Sequence, residues 1–120
     1  MEVLLADDDS LLASLLSFRL KKGGYKVHHT SNGKEVKEYL ETNRPDIIIS
    51  DIMMPYFSGM ELINHVRNEL LLKTPMIMIS SAGNESNVVN AFEMGANDFI
   101  SKPFSPSELL VRLTRELKKT

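Results

Sequence analysis

The chain has 120 residues, with 14 Lys plus Arg against 16 Asp plus Glu and no cysteine. That length suits one domain able to fold without a staple, and the lack of Cys excludes a disulfide scaffold, a thiolate metal site and a cysteine nucleophile. A net charge of −2 argues against this domain gripping a nucleic-acid backbone itself.

In chain order, short apolar runs alternate with amphipathic stretches. Val3–Ala6 (β1) precedes a stripe at Leu12, Leu16 and Leu20 (α1). Tyr25–His28 (β2) precedes Val36, Tyr39 and Leu40 (α2), and Ile47–Ile49 (β3) precedes Leu62, Ile63, Val66 and Leu70 (α3). Met76–Ile79 (β4) precedes Val88, Val89 and Phe92 (α4), and Asn97–Ile100 (β5) precedes Leu109, Leu110, Leu113 and Leu117 (α5). The stripes fit the 3.6-residue period of a helix. Continuous apolar runs suit strands buried on both faces.

The punctuation agrees. Lys21-Lys22-Gly23-Gly24 reads as a cationic last turn and a glycine cap, and Gly95 after Met94 reads the same way. Ser58-x-x-Glu61 and Ser105-Pro106-Ser107-Glu108 are capping boxes, Asn32-x-x-Glu35 is a weaker one, and Asp9 suits the cap of the first helix. Strict alternation predicts an α/β domain over residues 1–120, a parallel sheet with helices on both faces and no linker or repeat. No apolar run approaches the ~20 residues a membrane helix needs. Met1–Ala6 leads into acidic residues without a basic stretch, so no signal peptide is expected and the location expected is cytoplasmic.

Ligands of an open α/β sheet bind beyond the carboxyl ends of its strands. The first strand run is followed by Asp7, Asp8 and Asp9, the third by Asp51 and the fourth by Ser80 and Ser81, while Lys102 stands at the end of the fifth strand and the second ends in His28, His29 and Thr30. Clustered carboxylates repel unless a cation intervenes. Mg²⁺ is the natural cation, being hard and content with one or two carboxylates plus water and phosphate oxygens. Lys102 can pair with a carboxylate or hold phosphoryl oxygens as a point charge, and a Ser80 hydroxyl can bond the same group. The sequence has no GxGxxG after the first strand, no GxxxxGK[ST] and no GxSxG elbow. That leaves no dinucleotide fingerprint, P-loop or hydrolase nucleophile.

Four segments resemble the receiver domain of bacterial two-component response regulators, including the single-domain chemotaxis type. Val3–Asp9 looks like the opening strand with its acidic pair, and Pro45–Pro55 with Ser58-Gly59 like the phospho-acceptor segment. Pro75–Ser81 looks like the switch-hydroxyl strand, and Gly95–Phe104 like the terminal lysine motif. The resemblance spans essentially the whole chain. It implies a (βα)5 flavodoxin-like, CheY-like doubly wound fold with strand order 2-1-3-4-5.

It further implies Asp51 as the residue phosphorylated. Asp8, Asp51 and the backbone carbonyl of Met53 would hold Mg²⁺, with Asp7 acting nearby or through water. Lys102 would contact the phosphoryl oxygens, Ser80 and Phe99 would be the switch residues, and the Lys102–Pro103 bond would be cis. The partner implied is a sensor histidine kinase or phosphotransfer protein, whose phosphohistidine would donate to Asp51 and so change the α4–β5–α5 face. An output domain or effector would act downstream, and the domain would turn over no external substrate. Asp98 and Arg112, with Glu108, match an inter-subunit salt bridge of the winged-helix subclass, although Val88 stands where that subclass has a basic residue. A homodimer through α4–β5–α5 is therefore one option.

Ser80 replaces the commoner Thr, Ser81 the usual Ala, and Phe99 a frequent Tyr. Met53 and Ala82 would flank the phosphoryl group without a polar side chain, so slow self-dephosphorylation is expected. His28 and His29 read as surface or strand-end packing, His65 as solvated, and Tyr56 and Phe57 as loop residues within reach of a partner. Two other functions compete. An autonomous Mg²⁺-dependent phosphohydrolase would need a cap for which 120 residues leave no room. A pseudo-receiver that only docks partners would not need Asp7, Asp8, Asp51, Ser80 and Lys102.

Overall fold

Five strands form one parallel sheet in the order β2-β1-β3-β4-β5: β1 (Glu2–Ala6), β2 (Lys26–Thr30), β3 (Ile47–Asp51), β4 (Met76–Ser81) and β5 (Asp98–Lys102). Each crossover carries a helix: α1 (Ser10–Lys22), α2 (Gly33–Thr42), α3 (Gly59–Asn64) and α4 (Glu85–Met94), with α5 (Pro106–Lys118) closing the chain. This computed structural model describes residues 1–54, 56–81 and 85–119, and of Glu85 and Ser86 the backbone alone. The strand order is the one the resemblance implied.

Side chains alternate across a strand, so the continuous apolar runs feed two cores. Leu4, Ile48, Met76 and Met78 meet Val36, Leu40, Leu62 and Ala91 from α2, α3 and α4, and Val66 just past the end of α3. Val3, Leu5, Ile47, Ile49 and Ile77 meet Leu16, Leu20, Leu109 and Leu113 from α1 and α5. All five residues of β3 are buried, as a central parallel strand demands.

The helix starts follow the capping residues. Asp9, Asn32, Ser58 and Ser105 accept from the backbone N–H of Leu12, Glu35, Glu61 and Glu108 at 3.0–3.2 Å. Gly95 ends α4 with φ +118°, and Ala96 N–H then reaches back to the Ala91 carbonyl at 2.9 Å.

Two expectations need correction. β3 and β4 run further toward their C-termini than the apolar runs Ile47–Ile49 and Met76–Ile79, because their last residues are polar. Asp51 is therefore the last residue of β3 and Ser80 the last but one of β4, rather than residues after them, and Lys102 ends β5. The helix expected through Leu70 is α-helical only to Asn64. From His65 to Glu69 it is π-helical, with Leu70 N–H bonded to the His65 carbonyl at 2.8 Å.

Candidate functional site

The parallel register brings the C-terminal ends of β1, β3, β4 and β5 to one edge of the sheet. Asp51 stands beside Ile79 of β4, Ser80 beside Ser101 of β5, and Ser81 beside Lys102. Asp7 follows β1 directly, and its N–H bonds the Thr30 carbonyl at the end of β2 at 3.1 Å.

The charges converge there. Lys102 Nζ donates to Asp51 Oδ2 at 2.8 Å and lies 3.7 Å from Asp7 Oδ2. Asp51 Oδ1 accepts from Met53 N–H at 2.8 Å, so both acceptor oxygens are held. Carboxylate oxygens of Asp7, Asp8 and Asp51 lie within 4.8 Å of one another. Asp7 and Asp51 are buried, whereas Asp8 is exposed.

Three carboxylates face one ammonium, a surplus of two negative charges. Asp7 Oδ1 accepts from Asp9 N–H at 2.9 Å, but buried Oδ2 has no hydrogen-bond partner among the described residues. Burial pushes the Asp7 carboxyl above its ordinary value. Asp51 and Asp8 push the same way, and Asp9 N–H and Lys102 oppose without winning. For Lys102, burial pulls the ammonium down, but the bond to Asp51 and the charges of Asp51 and Asp7 carry it above its ordinary value. An oxygen-only donor set with surplus negative charge and an orphaned buried oxygen fits a hard divalent cation.

Ser80 is buried, and its Oγ donates to the Ser81 carbonyl at 3.3 Å. Phe99 is 9 % exposed and packs into the core under α2, α3 and α4. Met53 is 68 % exposed. The Lys102–Pro103 bond is cis. Ala82, read as flanking the phosphoryl group, lies outside the described residues, as does Pro55 of the acceptor segment.

Asp98 and Arg112, which match an inter-subunit bridge of the winged-helix subclass, pair with each other within the chain. Arg112 donates to Asp98 at 2.9 Å and also holds Glu108, while Arg115 takes the other Asp98 oxygen at 3.0 Å. The cause is proximity, since β5 leads straight into the α5 that packs beside it.

The histidines divide. His28 stacks on Tyr39 with ring centroids 4.3 Å apart, in line with its strand-end reading. His29 Nε2 bonds the Asp7 backbone carbonyl at 2.8 Å, supporting the acidic turn from the edge strand. The sequence signal for that contact is only the place of His29 near the end of β2. His65 is not solvated. It is largely buried, bonded to Glu69 and edge-on to Phe57 at 6.0 Å.

A family model described as the response regulator receiver domain matches residues 3–114. The transcriptional regulatory protein SrrA of Staphylococcus aureus is 36 % identical over 119 residues, covering 99 % of this chain and 48 % of SrrA. The chain thus spans about half the length of the curated relatives it matches. Among solved structures, the receiver domain of the Francisella response regulator 1452 is 32 % identical, with a TM-score of 0.91 over 98 % of this chain and 97 % of that one. The chemotaxis response regulator CheY4 of Vibrio cholerae is 33 % identical, with a TM-score of 0.87 over 95 % and 96 %. The chain belongs to the response regulator receiver domain family.

Proposed function

We propose that residues 1–120 are a phospho-acceptor switch, with Asp51 taking a phosphoryl group from the phosphohistidine of a sensor histidine kinase or phosphotransfer protein. The observation that carries this reading is the 2.8 Å contact of Lys102 Nζ with Asp51 Oδ2, beside the carboxylates of Asp7 and Asp8. A carboxylate oxygen of Asp51 attacks phosphorus, the N–P bond breaks, and the imidazole leaves with the electron pair. Lys102 then exchanges its carboxylate partner for the phosphoryl oxygens, whose negative charge grows in the transition state. Asp8, Asp51 and the Met53 carbonyl, with Asp7 nearby or through water, would hold Mg²⁺, which when bound supplies charge neutralisation for the incoming phosphoryl group.

The product is an acyl phosphate, open to water. The same residues assist its hydrolysis, so the domain resets itself and turns over no external substrate. Ser80 Oγ gives up the Ser81 carbonyl for the phosphoryl oxygen. Phe99, already buried on the neighbouring strand, couples that movement to the α4–β5–α5 face, which signals to an output domain, an effector or a second copy. SrrA is a transcriptional regulatory protein matched over half its length, which supports an output outside this domain. The near-neutral charge of the chain supports nucleic-acid contacts residing there too.

The test is intact mass after incubation with Mg²⁺ and a small acyl phosphate. A single phosphoryl adduct is expected for the native chain and none for Asp51→Asn. An adduct retained by Asp51→Asn, no adduct at all, or sustained turnover of general phosphoesters would overturn the reading.

A further inference from the structure

Two adjoining grooves of about 580 and 480 Å³ lie between α2 and α3, sharing Lys37, Phe57 and Glu61 in their walls. The phospho-acceptor chemistry uses none of these residues. Phe57 is seated by close backbone packing, since a Cβ on Gly33 would sit 1.8 Å from the Phe57 Cβ. His65 meets the Phe57 ring edge-on, and Lys37 Nζ lies 4.8 Å above it. The neighbouring Tyr56 is the reverse. It is 86 % exposed and held at φ +69°, a left-handed conformation that a bulky residue adopts only at a cost. One aromatic thus floors the groove while the next is fixed outward on its lip. Met60 and Met94 add adaptable apolar lining.

The rim is acidic. Among the described residues lining the two grooves, Glu38 and Glu41 of α2 with Glu61 and Glu69 beyond them stand against Lys34 and Lys37, four negative charges against two positive. Of the four, Glu69 is held by His65, and the other three form no ion pair among the described residues.

We propose that this groove docks a basic amphipathic segment of a partner protein. Its apolar side chains rest on Phe57, Met60 and Met94, and its arginine or lysine lies among Glu38, Glu41 and Glu61. The Lys37 ammonium over Phe57 shows that this ring face accepts a cation, and an arginine of the partner that displaces Lys37 takes that contact plus the carboxylates around it. A few aromatic and arginine anchors seated in pockets are where binding energy concentrates. The lip belongs to the loop that leaves Asp51, so an occupant touches the segment after the acceptor, yet the proposal does not depend on phosphorylation.

The test uses the ¹⁵N-labelled chain and peptides of matched leucine content bearing arginine, glutamine or glutamate at every polar position. The arginine peptide is expected to move the amides of residues 34–41 and 56–61 saturably, with the glutamine peptide weaker by about tenfold and the glutamate peptide silent. The double variant Glu38→Lys, Glu41→Lys alters exposed side chains only, so its spectrum stays native while its affinity for the arginine peptide falls by about tenfold. Shifts confined to other faces, equal binding of the three peptides, no binding at all, or undiminished binding by the double variant would overturn the proposal.

Discussion

Asp7 is the residue on which the electrostatics of the acidic edge turn. Its side chain is buried, with Oδ2 unbonded among the described residues. At an effective dielectric of about 20, a carboxylate within 4.8 Å repels it by at least ~3.5 kcal/mol, and Lys102 Nζ at 3.7 Å attracts it by ~4.5 kcal/mol. Both Asp8 and Asp51 are that close, so two repulsions outweigh one attraction, and the desolvation of a buried carboxylate adds to them. Asp7→Asn removes the charge and keeps an Oδ1 acceptor for Asp9 N–H. With the contributions of exposed Asp8 and part-exposed Lys102 discounted for solvent screening, the variant should be about 1–3 kcal/mol more stable than the native chain at neutral pH without metal.

The pH dependence fixes the sign. Burial first, then Asp51 and Asp8, raise the Asp7 pKa above 3.8, so the folded chain binds this proton more tightly than the unfolded chain. The penalty is full above the raised folded value, shrinks as pH falls through it, and is gone below 3.8. The advantage of Asp7→Asn should vanish over the same range. Urea unfolding followed by far-UV circular dichroism, repeated across pH, measures it. Added Mg²⁺ should stabilise the native chain more than the variant, because only a ligand that binds the folded site shifts the equilibrium. A variant less stable than the native chain in metal-free neutral buffer would refute the charge argument, and so would an advantage that persists in acid.

Gly33→Ala places a Cβ 2.5 Å from the Phe57 carbonyl and 2.7 Å from its Cα. Backbone must move, so a loss of about 1–3 kcal/mol and a Tm lower by several degrees are expected; an unchanged Tm would mean that the loop does not seat against α2. Met53 is exposed beside Asp51 and offers no polar group to orient water, so Met53→Asn should shorten the lifetime of the phosphorylated domain several-fold in a decay assay by intact mass. An unchanged lifetime would refute the expectation that Met53 slows the decay.

Much of this edge is legible in the sequence because a parallel strand is announced by its apolar run. Ile47–Ile49 and Met76–Ile79 locate Asp51 and Ser80 to within a residue or two, and alternation with helical stripes puts all strand ends of one kind on one side of the sheet. The 2.8 Å contact between Lys102 and Asp51 spans 51 residues. No local period reports it; it follows only once strand order is known, which the resemblance supplied. The support from His29 escapes for the same reason, since it depends on the turn after β1 lying against the neighbouring edge strand. His65 was misread because its neighbours in sequence are polar, while its neighbours in space are Phe57 and Glu69.

The π-helical turn shows where periodicity fails in principle. A 3.6-residue stripe assumes one hydrogen-bond register, and the apolar residues Leu62, Ile63, Val66 and Leu70 fit that assumption well enough to hide the change at His65. Within this turn sits Arg67. Its guanidinium bonds the carbonyls of Gly95 and Leu72 at 3.1 and 2.9 Å and Asn97 Oδ1 at 2.8 Å. The same Asn97 oxygen accepts from Met76 N–H at 2.9 Å, so one side chain ties the helix to the starts of β4 and β5. Every acceptor is neutral, and burial pulls the Arg67 pKa below its ordinary value. Gly95, legible as a helix stop, thereby acquires a second constraint. A Cβ there would lie 3.1 Å from the Arg67 side chain, so a residue chosen by local backbone geometry is also held by a contact 28 residues away.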